Sequence, residues 1–578
     1  MKYSSSQIVQ TILFLTVAGL YLLTLMPVEV RWADADLWLL KLVPVICVIG
    51  VGRLRVVRKS IDITKEDLAI AAWFTYYIVR VYVGNEYPCA IEFLKISSTV
   101  LLYVSLRLLF ANSRLSAWWL IVPIMICGCY EAIYGLLQTI TGISRNHLFL
   151  ITGSFHNPGP YSAYIMIGAV VGVCTIQEYL ESQRNVSFKR TLLVLTTIML
   201  AVLPATWSRA AFVGLGVCIL WIFRERYWRY RYFVWSALCV LVVILYFIKQ
   251  GSVEGRVVIW MASLMSWSQA PWVGVGVGGF RHACAEGIAE LWKSYPDSRM
   301  FDSAGVADYA YNSLLKILVE QGVVGATLCV TIVFLTMQRL YTHSKSLFMG
   351  MLSLLIFSMF SYPFELLPYR VMGVVIIAWS QTNKSTNTGE QTNLQRTFGV
   401  AAACAIALLG VCVCRESIRR STADKDCRLF AGVYNEAFID DYYELLPDEM
   451  DNPQFLFDFA KTLRECRRYR DSNAVLRMGT MVSADPMFYV LQGNNYRDEG
   501  FYDSAEKAYK KAFAVMPNRI YPLYQLMKLY QEKDDIVKSV EYATRITQFK
   551  EKISSPATEQ MKKEASDLLQ YNPIKRTK

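Results

Sequence analysis

Two arginines stand where arginine is costly. Arg209 lies in "TWSRAAFVGLG" (206–216), between two apolar blocks with almost no loop around it. A guanidinium at membrane depth needs an anion, or must snorkel to the interface. Arg256 opens "GRVVIWMASLMSWSQAPWVGVGVGGFRHA" (255–283) and shares a helical face with Trp260, one turn further on. A guanidinium presents a planar fork of donors that matches phosphate oxygens. Two of them at a membrane surface suit a diphosphate held at the lipid–water boundary. They would also stabilise the charge that develops as the diphosphate leaves. This chemistry requires neither a metal nor a cofactor, and none is expected.

Two further stretches carry polar groups into apolar surroundings. In "GSFHNPGPYSAYIMIG" (153–168), His156 and Asn157 precede two prolines and a span, so non-helical backbone is feasible at the membrane surface. In "ADYAYNSLLKILVEQGVVG" (307–325), Asp308, Tyr309, Tyr311 and Asn312 lead straight into a hydrophobic helix. Lys316 and Glu320 are one turn apart there and are expected to pair. Between the arginine segments and this rim, Gly274, Gly276, Gly278 and Gly279 break the helical pattern. Their spacing is not a dinucleotide fingerprint. They are expected to let the backbone approach a bulky ligand, with a plain turn as the alternative.

The elements that must position these groups are membrane helices. The chain has 578 residues, 54% of them hydrophobic. The apolar residues come in blocks long enough to cross a bilayer core of about 30 Å. The blocks are 7–26, 36–52, 66–84, 89–110, 115–138, 160–180, 191–206, 208–223, 231–248, 311–337, 347–362, 368–381 and 398–414. The fold class expected is an all-α polytopic membrane protein of about 12–13 transmembrane helices. The first block is read as an uncleaved helix, since Lys2 is its only early charge. The net charge of +12 does not argue for nucleic acid, because much of it lies in short loops such as 52–60, 183–190, 224–231 and 338–345. All four loops fall on one side if the N-terminus is cytoplasmic. The chemistry-bearing stretches then share the opposite, outer side.

Three parts follow along the chain. Residues 1–414 form the transmembrane domain, with a long outer loop at 249–310, and residues 415–578 form a soluble tail. The stretch 489–517 has Tyr489, Gly493, Tyr496, Gly500, Ala505, Tyr509, Ala512 and Pro517 at tetratricopeptide-like positions. Neighbouring copies precede and follow it, so an α-solenoid of about three repeats is expected, a surface type that binds protein partners. The fourteen cysteines show no metal spacing. Cys427 and Cys466 in the tail are either paired or free thiols.

Taken in order, four motifs resemble the O-antigen ligase and O-antigen polymerase superfamily, which includes protein O-oligosaccharyltransferases. They are "GSFHNPG" (153–159), Ser208-Arg209-Ala210-Ala211, the series Arg256, Trp260, Pro271, Gly274, Gly276, Gly278 and Phe280, and "YNSLLKILVEQGVVG" (311–325). The resemblance covers about residues 90–380. It implies an enzyme of the bacterial inner membrane. Such an enzyme transfers a glycan from an undecaprenyl-diphosphate carrier to a lipid A core, another glycan or a protein hydroxyl. Carried over to this chain, Arg209 and Arg256 hold the diphosphate, while His156, Asn157, Ser208, Trp260 and Asn312 contact substrate. The family's histidine falls at Tyr311, and tyrosine is a poor general base. Asp308 or His282 is then the candidate to take the acceptor proton, unless diphosphate leaves well enough without a base. A polymerase, a transporter and a non-catalytic scaffold are the alternatives to a ligase.

Overall fold

Every described element is helical, and no strand occurs among the described residues. The computed structural model describes residues 5–25, 46, 63–110, 115–181, 186–248, 250–296, 298–382, 393–551 and 554–571. Most of the apolar block 36–52, the basic loop 52–60 and the linker up to residue 392 lie outside them.

The first half contains α1 (Ser5–Leu25), α2 (Lys65–Tyr82), α3 (Ala90–Phe110), α4 (Trp118–Thr141), α5 (Pro158–Glu181), α6 (Val186–Val202), α7 (Arg209–Ile222) and α8 (Arg231–Ile248). Then come α9 (Gln250–Gln269), α10 (Phe280–Ser294), α11 (Ser313–His343), α12 (Lys345–Ser358), α13 (Leu367–Ser380) and α14 (Asn393–Phe430). Five described stretches are long and apolar enough to cross a bilayer: Ala90–Phe110, Trp118–Thr141, Pro158–Leu180, Phe188–Thr206 and Ser313–His343. Four shorter apolar helices accompany them: Phe14–Leu25, Arg209–Ile222, Lys345–Ser358 and Leu367–Ser380. The chain is an all-α, multi-pass membrane protein.

Helix α5 is the centre of this bundle. It packs against α4, α6, α7 and α12, and 83% of its span is buried. A helix apolar on every side suits such a position, because it has no face to present to water. Its buried Tyr161 hydroxyl donates to the Glu131 carbonyl at 3.2 Å, so the polar tip of an otherwise apolar side chain has a partner.

Helix α14 runs unbroken from the last apolar block through residue 414 and on to Phe430. Beyond it, α15 (Ile439–Glu449), α16 (Pro453–Glu465), α17 (Tyr469–Val482), α18 (Met487–Asp498), α19 (Tyr502–Val515), α20 (Tyr521–Glu532), α21 (Ile536–Thr547) and α22 (Pro556–Tyr571) follow in succession. From α16 onward each helix packs mainly on the next. Gly493 lies flat against the Tyr509 ring, where a Cβ would collide. No disulfide joins Cys427 to Cys466.

The tail is docked on the segment 250–310. Glu286 of α10 pairs with Lys511 at 2.5 Å, and Asn518 donates to the Ala304 carbonyl at 2.5 Å. Ala484, Ala514 and Val515 of the tail share an apolar core with α9 and α10. Tail and segment 250–310 are therefore packed together.

Candidate functional site

The rim before α11 is held by three residues in a row. Trp260 of α9 donates its indole N–H to the Ala310 carbonyl at 2.9 Å. Asn312 caps α11, its Oδ1 accepting from the Leu315 amide at 3.0 Å. Tyr311, pinned between them, takes φ +50°. A non-glycine residue is uncommon there, and such strain persists only where its surroundings over-determine it. Trp260 and Asn312, expected to touch substrate, are both engaged in fixing this rim.

Behind the rim, α11 breaks at Gly322, which has φ +65° and ψ −167°. The break frees two carbonyls and two amides of the helix, and "PWVGVG" (271–276) satisfies all four. Val275 donates to the Val319 carbonyl at 2.8 Å and Gly276 to the Glu320 carbonyl at 3.2 Å. Val323 donates to the Pro271 carbonyl at 2.9 Å and Val324 to the Trp272 carbonyl at 3.2 Å. The glycines thus serve a backbone-to-backbone interlock. A Cβ at Gly274 would strike Glu320, and one at Gly322 would strike Trp272. At Gly274 and Gly276 the close neighbour is the protein's own chain rather than a bulky ligand, whereas Gly278 lines a second cavity.

The second correction concerns Lys316. Its ammonium pairs with Glu365 at 2.6 Å and approaches Glu92 at 3.8 Å, rather than pairing with Glu320. Glu320 is itself buried, in the turn before the break at Gly322. Neighbours from α3 and from 363–365 thus displace the partner one turn away. The Lys316–Glu365 pair is half-buried and ties the 360–365 segment to the rim.

Arg209 is the first residue of α7, with Ser208 at the N-cap. Unpaired amides and the helix dipole add positive potential there. Arg256 projects from α9, donates to the Phe360 carbonyl at 2.9 Å and lies 4.9 Å from the centre of the Tyr311 ring. Burial, with a contribution from Arg209, pushes the Arg256 guanidinium below its usual pKa. Arg209, Arg256, Tyr311, Ser208 and Asn157 line one cavity of about 400 Å³. No Asp or Glu lines it among the described residues. Such a cavity favours an anion over a cation or a neutral molecule.

Other candidates lie elsewhere. Asn157 reaches the cavity while its Oδ1 accepts from the Gly159 amide at 2.9 Å, but His156 is exposed and outside the lining. Ring Nδ1 of His282 sits 2.8 Å from the Thr480 carbonyl oxygen, facing the tail. Asp308 lines a neighbouring cavity, 4.0 Å from Arg281 with its side chain 55% exposed, and partial desolvation raises its carboxyl. Tyr362 was not visible as a site residue in the sequence. It stacks on Tyr309 at 3.9 Å and meets Tyr311 edge-on at 5.6 Å. Its only signal was "SYPFE" (361–365), a polar break between two apolar blocks.

Fold and site together define a multi-pass membrane protein with an arginine-lined cavity at one end of its bundle. Residues 194–330 match the O-antigen ligase family model. That stretch contains Ser208, Arg209, Arg256, Trp260, Tyr311 and Asn312. No curated protein matches the chain. The family match supports a membrane glycosyltransferase-like function in O-antigen assembly.

Proposed function

We propose that the chain transfers a glycan from an undecaprenyl-diphosphate carrier to an acceptor hydroxyl on the periplasmic face of the inner membrane, as an O-antigen ligase does. The observation that carries this reading is the convergence of Arg209, Arg256 and Tyr311 on one cavity without a lining carboxylate. The acceptor oxygen attacks the anomeric carbon of the donor. The bond from that carbon to the diphosphate breaks, and its electron pair leaves on the diphosphate oxygen. Arg209 and Arg256 meet that growing negative charge, and Tyr311 braces Arg256 through its ring face. The acceptor proton passes to Asp308, whose partial desolvation, with Asp485 nearby, keeps its carboxyl more basic than usual. The tail, read as tetratricopeptide-like repeats, lies on the same periplasmic side and presents a surface for a protein partner.

The test uses cells lacking the gene, complemented with Arg209→Ala or Arg256→Ala. Loss of one preorganised charge donor costs on the order of 10²–10³ in rate. Attached surface glycan is expected to fall by that order, while the lipid-linked donor accumulates. Normal attachment in both variants would sink the proposal.

A further inference from the structure

A second cavity, of about 490 Å³, adjoins the first. Its size falls within the range of about 300–1,000 Å³ usual for ligand pockets. The membrane bundle supplies one wall through Glu92, Lys95 and Glu365. The rim supplies Asp308 and Tyr309, and the tail closes the third side with Asp451, Asn452 and Gln454. The partition between the two cavities is aromatic. Tyr309 lines one and Tyr311 the other, and Tyr362 packs against both. Tyr309 and Tyr311 meet edge-on across this partition, their ring centres 6.3 Å apart.

The two linings differ in chemistry. The first is cationic. The second is lined by six carboxylates, Glu92, Asp308, Glu320, Glu365, Asp424 and Asp451, against three cations, Lys95, Arg281 and Lys316, some of them paired within the protein, as Lys95 with Glu92 at 3.1 Å and Lys316 with Glu365 at 2.6 Å. An acidic excess of this kind repels an anion. It leaves many carboxylate and amide oxygens as hydrogen-bond acceptors, which suit a ligand rich in hydroxyl donors.

We infer that this second cavity seats a neutral, polyhydroxylated acceptor glycan, with the soluble tail forming part of its wall. The inference rests on the transferase reading above and names the acceptor side of that reaction. An acceptor seated here places a hydroxyl beside Asp308, across the tyrosine partition from the arginines. Gln454 is exposed at the start of α16, and its amide donates to the buried Asp458 carboxylate at 3.0 Å, so folding of each Gln454 variant is checked before its binding is read.

The experiment uses the full chain in lipid nanodiscs. The probe is the oligosaccharide pool released by mild acid from the cell's own surface polysaccharide. Wild type is expected to bind it, and to go on binding in saturating inorganic diphosphate, because the diphosphate belongs in the other cavity. Gln454→Trp, which fills the cavity from the tail side, is expected to weaken binding by about tenfold or more. Gln454→Ala, which only removes an amide, serves as the second variant if the tryptophan form does not fold, and is expected to weaken binding by about threefold. No binding by wild type overturns the inference. So does displacement by diphosphate, or binding unchanged in a folded variant. Failure here with Arg209→Ala and Arg256→Ala still inactive in cells removes only the acceptor assignment. Normal transfer by both arginine variants removes the transferase reading itself.

Discussion

The guanidinium of Arg256 lies over the Tyr311 ring, 4.9 Å from its centre, and Tyr311 holds this place in a left-handed backbone conformation. The ring face, rather than the hydroxyl, is what meets the cation.

Tyr311→Phe is therefore expected to keep transfer within about threefold of wild type, whereas Tyr311→Ala loses the brace and falls about tenfold or more. Glycan attachment in complemented cells measures both. A Phe variant as inactive as the Ala variant would show that the hydroxyl matters.

Asp308 leads to a pH prediction. Partial desolvation raises its carboxyl, Arg281 opposes the shift, and Asp485 adds to it. A base must be ionised, so transfer is expected to rise with pH along a limb lying above the ordinary aspartate value of about 3.9. Asp308→Asn should lower the rate and remove that limb. An unchanged profile in the variant assigns the limb to another group.

Gly322→Ala tests the interlock. Alanine is strained at φ +65° and its Cβ would collide with Trp272. The expected loss is above the ~1 kcal/mol typical of point variants, read as lower yield of folded protein and lower thermal stability in detergent. Stability equal to wild type would mean that the break can relax.

Asp451 of the tail caps a membrane helix. Its Oδ2 accepts from the Ile91 amide at 2.6 Å, at the first turn of α3. Asp451→Ala is expected to cost about 0.5–2 kcal/mol and to speed hydrogen exchange at the amides of the first turn of α3. Asp451→Asn keeps an accepting oxygen and should restore most of the protection. Equal exchange in all three proteins would mean that the cap contributes nothing.

The membrane helices were legible because a span needs a long apolar run, and composition alone reveals it. Arg209 and Arg256 were legible for the opposite reason, since a guanidinium among apolar residues needs a purpose. What escaped the sequence depends on contacts between distant segments. Helical spacing offered Glu320 to Lys316, but Glu365 and Glu92 lie closer in the fold. The glycines of 274–279 advertised close approach without saying to what: Gly274 lies against Glu320 beside the broken turn, and Gly276, Gly278 and Gly279 against residues 85–89. Tyr362 carried no motif, and its place beside Tyr309 is set by the packing of α12 and α13.

Helix α14 spans 38 residues without a break, a rod of about 57 Å. A rod transmits phase as well as distance. Each residue added or removed within it turns everything downstream by about 100°. One insertion between 415 and 430 would carry Asp451 off the α3 amide and Gln454 out of its cavity wall. The tail is thus indexed to the bundle by helical register, and a tail grafted from another protein would need to match that count before its sequence mattered.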